Sequence, residues 1–402
     1  ALRARWRECL SRLVSPHFTG WWGRAAYRLH GRHWQAAGDI RLPELQRVCV
    51  IRFDGLGDLV TITGFLRELR RSAPRARITL VVRAEWLDLV RECPHVDEVL
   101  GLRLLPHRRF AELRWHWTAV RFCARHLWPR RFDAVLVPQT HFYFFETRPM
   151  ALLALSPRRA GWSDPAEART EREVQALELF TQVVALPAGW HEVEKGYAFL
   201  ERLGGQVRQR QLELWWNAAE EQAAAATAAQ LKAGARRLVA LGIGASHSTK
   251  VWPLDRFVEL GGWLAADLGA KVVAIGGADM AESGQSMVAR LQNVASDMTG
   301  KLSVRQTAAL LSRCDLFVGN DSGPMHLAAA VQLPVVEISG CPAQTPARDP
   351  GSPLRMGPYC RRRAILQPES RAPGTGFCVE AVTVEQVKRA VAGLLGEPAC
   401  AP

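Results

Sequence analysis

The residues best suited to chemistry lie where a predicted strand meets a predicted helix. Residues 315–319 (DLFVG) form an apolar run typical of a buried strand, and residues 320–330 (NDSGPMHLAAA) continue as a polar loop that opens an Ala-rich helix. In a parallel α/β sheet, such a junction places backbone amides and the positive end of a helix dipole at the carboxyl edge of the strands. The pattern therefore indicates either an anion site or a plain capped helix.

The polar residues of this motif have separate expected roles. Asp321 or Ser322 can cap the helix, and Gly323 lets a ligand approach the backbone. The amides of Met325 and His326 are expected to point outward, toward a bound phosphate. We therefore assign these residues to a candidate phosphate site.

A second strand-to-helix turn carries an acid. Residues 48–53 are an apolar strand that contains Arg52, and residues 55–58 (GLGD) lead into a helix. The dinucleotide-binding fingerprint needs a third glycine where Val60 stands, so a nicotinamide site is not indicated. Asp58 is either a general base at the mouth of a cleft or the cap of the following helix, and the pattern alone does not separate these roles.

A loop of small residues, 242–253 (GIGASHSTKVWP), follows the first strand of the second half. Gly244 leaves room for amides to reach a phosphate, while Ser246 and Thr249 add hydroxyl donors. Lys250 supplies a cation for charge-assisted hydrogen bonds. The Gly-Lys-Ser/Thr ending of a Walker loop is missing, so this is a different kind of phosphate loop.

Acidic residues also follow the next predicted strand, residues 271–275. An acid beyond the second strand of a nucleotide fold is placed to hold a ribose diol, and we assign this role to Glu282 rather than Asp279. Helix capping by either residue is an equally good reading of the pattern.

The elements that position these motifs alternate between strand and helix along most of the chain. Helices are predicted over residues 59–72 and 254–268, over residues 217–234 with capping signals at both ends, and over residues 303–313 with a cap at Ser303. Predicted strands are residues 48–52, 78–82, 96–100, 134–138, 238–243, 271–275, 316–319 and 335–339. This alternation predicts an α/β fold with two Rossmann-like, doubly wound parallel-sheet domains that face each other across a cleft.

Four divisions of the chain are expected. Residues 1–45 form a basic, Trp-rich extension, residues 46–215 an N-terminal domain, and residues 216–380 a C-terminal nucleotide-binding domain with a long loop at 340–376. Residues 381–402 hold a helix, 384–395, that packs back toward the N-terminal domain.

The charge of the chain favours an anionic partner. Lys and Arg number 52 against 39 Asp and Glu, which gives a net charge of +13. Arg and Trp alternate within residues 1–36 and 103–131, which suits either an anionic membrane surface or a solvated face of the fold. No nucleic-acid-binding module is present, so nucleic acid is not an expected partner.

The sequence also bears on location and metal binding. It has no apolar run of about 18 residues and no signal-peptide core, which indicates a cytoplasmic protein. Cys341, Cys360, Cys378 and Cys400 lie near the C-terminus without a Cys-x-x-Cys pair. A metal site there and incidental buried thiols remain the alternatives, and the second fits the spacing better.

Taken together, the motifs resemble those of the heptosyltransferases, glycosyltransferase family 9 of GT-B fold, which build the inner core of lipopolysaccharide. The resemblance extends over residues 46–340 and rests on residues 51–58, 191–194 (HEVE), 244–253 and 320–330. It implies an inverting enzyme that uses ADP-L-glycero-β-D-manno-heptose and an anionic, lipopolysaccharide core-like acceptor, with no cofactor and no required metal. With such an acceptor, the Arg- and Trp-rich residues 1–36 are expected to anchor the protein at the inner face of the cytoplasmic membrane.

The resemblance also implies roles for individual residues. Asp58 falls on the catalytic base, Lys250 on the contact to the donor diphosphate, and Asp321 on the acid near the donor sugar. Glu282 falls loosely on the residue that binds the adenosine ribose. The remaining assigned residues divide between a donor-binding set and an acceptor-side set: Gly244, Ser246, Thr249, Ser322, Gly323, Met325 and His326 in the first, Arg52, Gly55 and Gly57 in the second.

Three alternative functions remain open at this stage. The first is transfer of heptose to protein, although family members of that kind bind iron through a Cys-x-x-Cys cluster that this sequence lacks. The others are a nucleotide-sugar epimerase on the same two-domain plan and a noncatalytic protein that binds anionic glycolipids. The intact Lys250 and Asp321 motifs favour a transferase over the noncatalytic protein.

Overall fold

The computed structural model describes residues 25, 27–28, 39–103, 111–139, 147–163, 177, 179–349, 351–369 and 378–396, without the side chains of 111–116 and 147–149. Most of the predicted N-terminal extension, part of the 103–131 basic stretch and Cys400 lie outside the described residues.

Contacts divide the chain into two compact units. The first comprises Ala1–Asp54, Gly64–Leu87 and Cys93–Arg210, and the second comprises Gly55–Thr63, Asp88–Glu92 and Gln211–Pro402. The change between them at Arg210 falls close to the predicted boundary at 215. Two short segments assigned to the N-terminal domain group instead with the second unit, and one of them carries Asp58.

The first unit is built on a six-stranded parallel sheet in the order β3-β2-β1-β4-β5-β6. Its strands are β1 Arg47–Arg52, β2 Arg77–Arg83, β3 Glu98–Leu102, β4 Ala134–Val137, β5 Arg158–Ser163 and β6 Gln182–Ala185. The helices encoded along this half of the chain are α1 Leu56–Thr61, α2 Thr63–Ser72, α3 Leu87–Val90, α4 Ala111–Phe122, α5 Thr147–Leu153 and α6 Glu192–Arg202.

The second unit repeats this strand order as β12-β11-β10-β7-β8-β9, again with every pair parallel. Its strands are β7 Arg237–Gly242, β8 Ala270–Ile275, β9 Ala295–Asp297, β10 Leu316–Asn320, β11 Val335–Ile338 and β12 Arg363–Leu366. Its helices are α7 Ala218–Lys232, α8 Leu254–Leu268, α9 Ala281–Leu291, α10 Val304–Leu311, α11 Gly323–Ala330, α12 Pro353–Met356 and α13 Val384–Leu395.

Helix capping follows the sequence signals closely in the second unit. Asn217 and Glu220 exchange side-chain-to-backbone hydrogen bonds of 3.0 Å in a capping box at the start of α7. Gly234 follows that helix with a φ of +75°, a left-handed conformation that costs glycine little. Ser303 and Gln306 form the predicted box at the start of α10.

One continuous helix was predicted over residues 59–72, but the structure has two helices there, α1 and α2. Ile62 separates α1 from α2 and donates its amide to Leu59 in a tighter turn. The hydroxyls of Thr61 and Thr63 donate to the carbonyls of Asp58 and Val60. Such side-chain bonds to helix carbonyls compete with the regular ladder and favour a break.

Two further expectations for the C-terminal part need correction. The apolar face of α13 packs on α8, β11 and β12, and Val387 and Val391 belong to the core of the second unit with Trp252. The helix is therefore buried by the second unit rather than by the N-terminal domain. The stretch 340–376, predicted as one long loop, contains α12 and the edge strand β12.

Tyr27 ties the described part of the N-terminal extension to the first unit. Its ring is fully buried with Leu152, Leu155 and Leu179. Its hydroxyl donates to the Ser156 carbonyl and accepts a 2.9 Å hydrogen bond from Arg159 Nη1. The extension is therefore packed on the fold at this position.

Candidate functional site

The assigned residues of the 244–250 and 321–326 motifs lie at the carboxyl ends of β7 and β10. These strands pair in parallel, with Gly242 opposite Gly319. They lie at the point where the strand order reverses direction, because β8 follows on one side and β11 on the other. Loops that leave neighbouring strands at such a switch point diverge and leave a crevice for ligands.

Asn320 joins the two loops of this crevice. Its Oδ1 accepts a 2.9 Å hydrogen bond from the Trp252 amide, and its Nδ2 donates to the carbonyls of Gly242 and Gly244 at 3.3 and 3.4 Å. The side chain is fully buried, so the bonds to Trp252 and Gly242 are shielded from water, while the bond to Gly244 is partly buried. The site assignment omitted Asn320, although an amide directly after a buried strand was a usable signal.

Lys250 and Asp321 form an ion pair across the same two loops. The distance from Lys250 Nζ to Asp321 Oδ2 is 2.6 Å, and each side chain is 19% exposed. Both residues were assigned to the donor site, and the structure brings them together. The ammonium is thus held at the crevice by a carboxylate, in a side chain that remains partly exposed to solvent.

The start of α11 differs from the expected arrangement. Ser322 occupies the N-cap but makes no capping bond with its side chain, and its hydroxyl donates to the Asn320 carbonyl. The Met325 and His326 amides donate to the Ser322 carbonyl at 3.1 and 3.4 Å. The prediction that these two amides point outward was therefore wrong, because the first helical turn uses them itself.

The turn that carries Asp58 contacts α11 within the second unit. A Cβ at Gly57 would clash with the imidazole of His326, and a Cβ at Gly323 would lie 2.8 Å from Leu56. His326 is 5% exposed, and this burial lowers the pKa of its imidazole, so the ring is neutral at neutral pH. The two glycines therefore serve close packing between α1 and α11.

Asp58 has the capping role that its sequence position allowed. Its Oδ2 accepts a 3.2 Å hydrogen bond from the Gly55 amide at the start of α1. The carboxylate is half-buried and acts electrostatically on His326 together with Asp321. This hydrogen bond does not prevent Asp58 from acting as a general base, because a carboxylate has further lone pairs that can accept a proton.

Arg52 is a structural residue in the first unit rather than an exposed contact for an acceptor. It is 2% exposed, and its Nε lies 2.8 Å from Asp54 Oδ2. Its Nη1 donates to the Pro138 carbonyl, and Gln139 donates to the other oxygen of Asp54. A buried arginine that is held in this way is committed to the fold, which corrects its assignment to the acceptor side.

The other assigned residues are more open to solvent. Ser246 and Thr249 are exposed on the loop after β7, and Glu282 is exposed in the first turn of α9. The backbone of Gly244 packs against the side chain of Met280, which leaves no room for a Cβ. Contact between the β7 loop and the β8 loop thus involves Gly244 and Met280.

Glu337 is a buried acid near this pair that the sequence assignment missed. It lies on β11 opposite Gly319, is 1% exposed, and its Oε2 has no hydrogen-bond partner among the described residues. Burial raises the pKa of Glu337 well above its usual value, and the charge of Asp321 raises it further, while Lys250 opposes the shift. A single acid within an apolar strand was the only sequence signal.

The described residues offer no metal centre. No group of three or more His, Cys, Asp or Glu side chains is placed to hold an ion in the part of the chain that the structure describes. Cys341, Cys360 and Cys378 form no disulfide within these residues, and burial raises the pKa of Cys360 to about 11. Within the same residues no helix is long and apolar enough to cross a membrane.

Two parallel α/β sheets of identical strand order, with a cation–carboxylate pair at one switch point, define a class of nucleotide-dependent α/β enzymes. Residues 120–365 match the sequence profile of glycosyltransferase family 9 (heptosyltransferase), and the chain belongs to this family. It is therefore a glycosyltransferase, which sets aside the epimerase and the noncatalytic protein.

Individual relatives agree with this placement. The chain is 26% identical over 338 residues to lipopolysaccharide heptosyltransferase 2 of Escherichia coli K12, covering 80% of this chain and 88% of the relative. A glycosyl transferase family 9 structure from Veillonella parvula DSM 2008 superposes with a TM-score of 0.70 at 23% identity, covering 90% and 99% of the two chains. The structure of the E. coli heptosyltransferase WaaC with ADP-2-deoxy-2-fluoro heptose superposes with a TM-score of 0.63 at 19% identity. This match covers 87% of this chain and 99% of the WaaC chain. The likeness confirms the expected GT-B architecture.

Proposed function

We propose that this protein transfers a heptose from ADP-heptose, with inversion, to a hydroxyl of an anionic acceptor of the lipopolysaccharide core type. The observation that carries the proposal is the Lys250–Asp321 pair, 2.6 Å apart, at the switch point of a family 9 glycosyltransferase. The names of the relatives support the donor and the acceptor. One relative is a lipopolysaccharide heptosyltransferase, and another was solved with an analogue of ADP-heptose.

On the donor side, the departing ADP gains negative charge as the bond between the sugar and the diphosphate breaks. Lys250 is the cation available to this charge, and a preorganised cation stabilises it without reorganisation during the reaction. Asp321 holds the ammonium in place, and Asn320 fixes the two loops that carry them. Ser246 and Thr249 are exposed on the same loop and are candidates for further hydrogen bonds to the phosphates.

On the acceptor side, inversion needs one displacement at the anomeric carbon. Asp58 is proposed as the general base: it takes the proton of the acceptor hydroxyl while that oxygen forms the new glycosidic bond and ADP departs. The Asp58 turn packs on α11, which begins two residues after Asp321, through Gly57 and His326. This packing supports the proposal, because it holds the turn that carries Asp58 against the helix that follows Asp321. No step in this scheme calls for a metal ion or a cofactor.

The acceptor and the place of action are inferred from charge. A net charge of +13 favours an anionic glycolipid and a peripheral position at the inner face of the cytoplasmic membrane. Trp117 is 71% exposed on α4, and Arg121 and Arg125 are exposed one and about two turns further on. An exposed indole with two guanidinium groups on one helix side suits an anionic lipid interface.

The proposal is tested by measuring ADP binding and heptose transfer in a Lys250→Ala variant. Loss of a charge-assisted contact should weaken ADP binding by about 1.5–3 kcal/mol and lower transfer from ADP-heptose. Lys271→Ala is the matched control, because Lys271 lies in the same unit near the opposite, amino end of β8. UDP and GDP sugars and a peptide acceptor are run in parallel. Equal ADP affinity in both variants, or preference for another nucleotide or for peptide, would contradict the proposal.

A further inference from the structure

The feature that the proposed reaction leaves unexplained is Glu337. Strand alternation places Val336 and Ile338 on the sheet face that packs on α13, so Glu337 points to the other face. Its parallel neighbours across the sheet are Gly319 on β10 and Ile365 on β12, and neither carries a charge. A Cβ at Gly357 would lie 3.3 Å from Glu337 Oε2, so backbone closes over this carboxyl.

The charged groups around Glu337 cannot neutralise an ionised carboxylate there. The groups that act on it electrostatically are Asp321, which opposes ionisation, and Lys250, which is already paired with Asp321. His326 is the titratable residue of α11, and burial keeps it neutral. Arg355 on α12 donates its Nη1 to the Arg348 carbonyl. A buried carboxylate without a partner is strongly unfavourable, so the group holds its proton instead.

We propose that Glu337 is a positioning residue for donor binding: as a neutral carboxylic acid behind the Lys250–Asp321 pair, it adds no negative charge behind the Lys250 ammonium, so that a nucleoside diphosphate can bind. This inference rests on the proposed function, since it concerns the same donor site. With Glu337 neutral, the Lys250–Asp321 pair consists of one cation and one carboxylate, whose charges cancel. Ionised Glu337 leaves a second negative charge behind the cation, which repels an incoming diphosphate.

The sign of the pH dependence follows from the location of the proton. In the folded protein Glu337 keeps a proton that the unfolded chain releases above about pH 4.5. Its contribution to the free energy of unfolding is therefore fully present below that pH and falls as pH rises, until the folded Glu337 also ionises. Glu337→Gln, which keeps the shape and cannot ionise, should melt increasingly above the wild type as pH rises.

The decisive experiment compares wild type with Glu337→Gln by infrared difference spectroscopy and ADP titration from about pH 6 upward. We expect a protonated-carboxyl band at neutral pH that the variant lacks, and ADP affinities that agree within about threefold. Above the pH at which this band disappears in the wild type, ADP should bind wild type about tenfold more weakly than the variant, a typical coupling between linked sites. Glu385→Gln, an exposed change on α13, is the control and should behave as wild type.

Several outcomes overturn the inference. One is the absence of the acid band at neutral pH; another is an ADP affinity in Glu337→Gln that is lowered more than tenfold although the variant melts normally. A third is equal affinity in both proteins after the band has disappeared. If ADP fails to bind the wild type at any pH, the donor proposal fails and this inference with it. Normal ADP binding with one of the first three results refutes the role of Glu337 alone.

Discussion

Single carboxylates of this protein combine a structural and a proposed chemical role. Asp58 accepts a hydrogen bond from Gly55 to start α1 and is also the proposed base. Asp321 holds Lys250 and, by its charge, helps to keep Glu337 protonated. An alanine at any of these positions therefore changes stability and chemistry together, and informative variants must separate the two.

For Asp58, asparagine separates these roles. Asp58→Asn keeps an oxygen that accepts from the Gly55 amide but is no longer a base, so turnover should fall about 10²–10⁴-fold with little change in melting temperature. Asp58→Ala should show the same loss of turnover and lose about 1 kcal/mol in the free energy of unfolding as well. Thermal melts and initial transfer rates distinguish them. Turnover of Asp58→Asn within a few-fold of wild type would show that Asp58 only caps the helix.

Residue types predicted part of the site but not its internal contacts. Lys250 and Asp321 were assigned from their loops, yet their pairing depends on β7 and β10 lying side by side, which local sequence does not determine. Asn320 was missed because an amide after a strand also suits a solvent-exposed turn. Arg52 was misassigned because a charged residue at a strand end looks exposed until its buried partner, Asp54, is known.

At the scale of elements, the fixed geometry of two loops is the main requirement of the donor site. Asn320 supplies it through bonds to Trp252, Gly242 and Gly244. The β10 loop consists of Asp321 and Ser322 alone, whereas the β7 loop runs from 243 to 253 and contains a single 3₁₀ turn at Ser248–Lys250. Without Asn320, the Trp252 amide and two carbonyls would lose a buried partner at once.

Asn320→Ala should therefore cost about 1–3 kcal/mol in the free energy of unfolding and also weaken ADP binding, because the loops are no longer joined. Asn217→Ala is the matched control: it removes the N-cap of α7 in the same unit, at a cost of about 1 kcal/mol, and leaves the site unchanged. Denaturant unfolding and ADP titration are measured on both variants. An ADP affinity lowered equally in both would mean that stability, not loop geometry, determines binding.

The strong, periodic elements were predictable from the sequence, whereas three edge strands, β6, β9 and β12, and the inner strand β5 beside β6 were not. Helices α8 and α13 match the expected bounds because apolar spacing and caps agree over many residues. Strands β5, β6, β9 and β12 were missed. They have three to six residues, and only pairing with a neighbour stabilises them as strands. A four-residue edge strand such as β12, within a Pro- and Gly-rich stretch, carries almost no local signal.

At the scale of the whole molecule, the surplus positive charge is proposed to direct the enzyme to its lipid-borne acceptor. Trp117, Arg121 and Arg125 form the described part of a basic surface on α4 and the π-helical turn Cys123–Leu127. Residues upstream of Tyr27 carry further Arg and Trp. Because Tyr27 is buried in the first unit, deletion of residues 1–36 would damage the fold, whereas deletion of residues 1–24 spares this anchor.

Charge reversal at Arg121 and Arg125 should weaken binding to anionic vesicles by about tenfold or more at low salt, since each Arg near such a surface contributes about 1 kcal/mol. Trp117→Ala should lower the binding that remains at high salt. Trp190→Ala removes another exposed indole, 46% exposed, and serves as its control. Co-sedimentation with phosphatidylglycerol and phosphatidylcholine vesicles measures both effects. If the Arg121/Arg125 charge reversal and Trp117→Ala both sediment as the Trp190→Ala control does, this surface is not the membrane contact.

The shared strand order has a consequence for synthesis on the ribosome. In each sheet the first strand to be synthesised, β1 or β7, lies at the centre. One edge of that strand pairs with a strand that is synthesised much later, β4 or β10. The partner of β1 on that side, β4, begins at Ala134, so at about 5–20 residues per second this edge waits several seconds for its partner. A nascent apolar strand with an open edge recruits other chains. The growing polypeptide thus passes through a period in which the open edge of β1 can pair with other chains, before either sheet is complete.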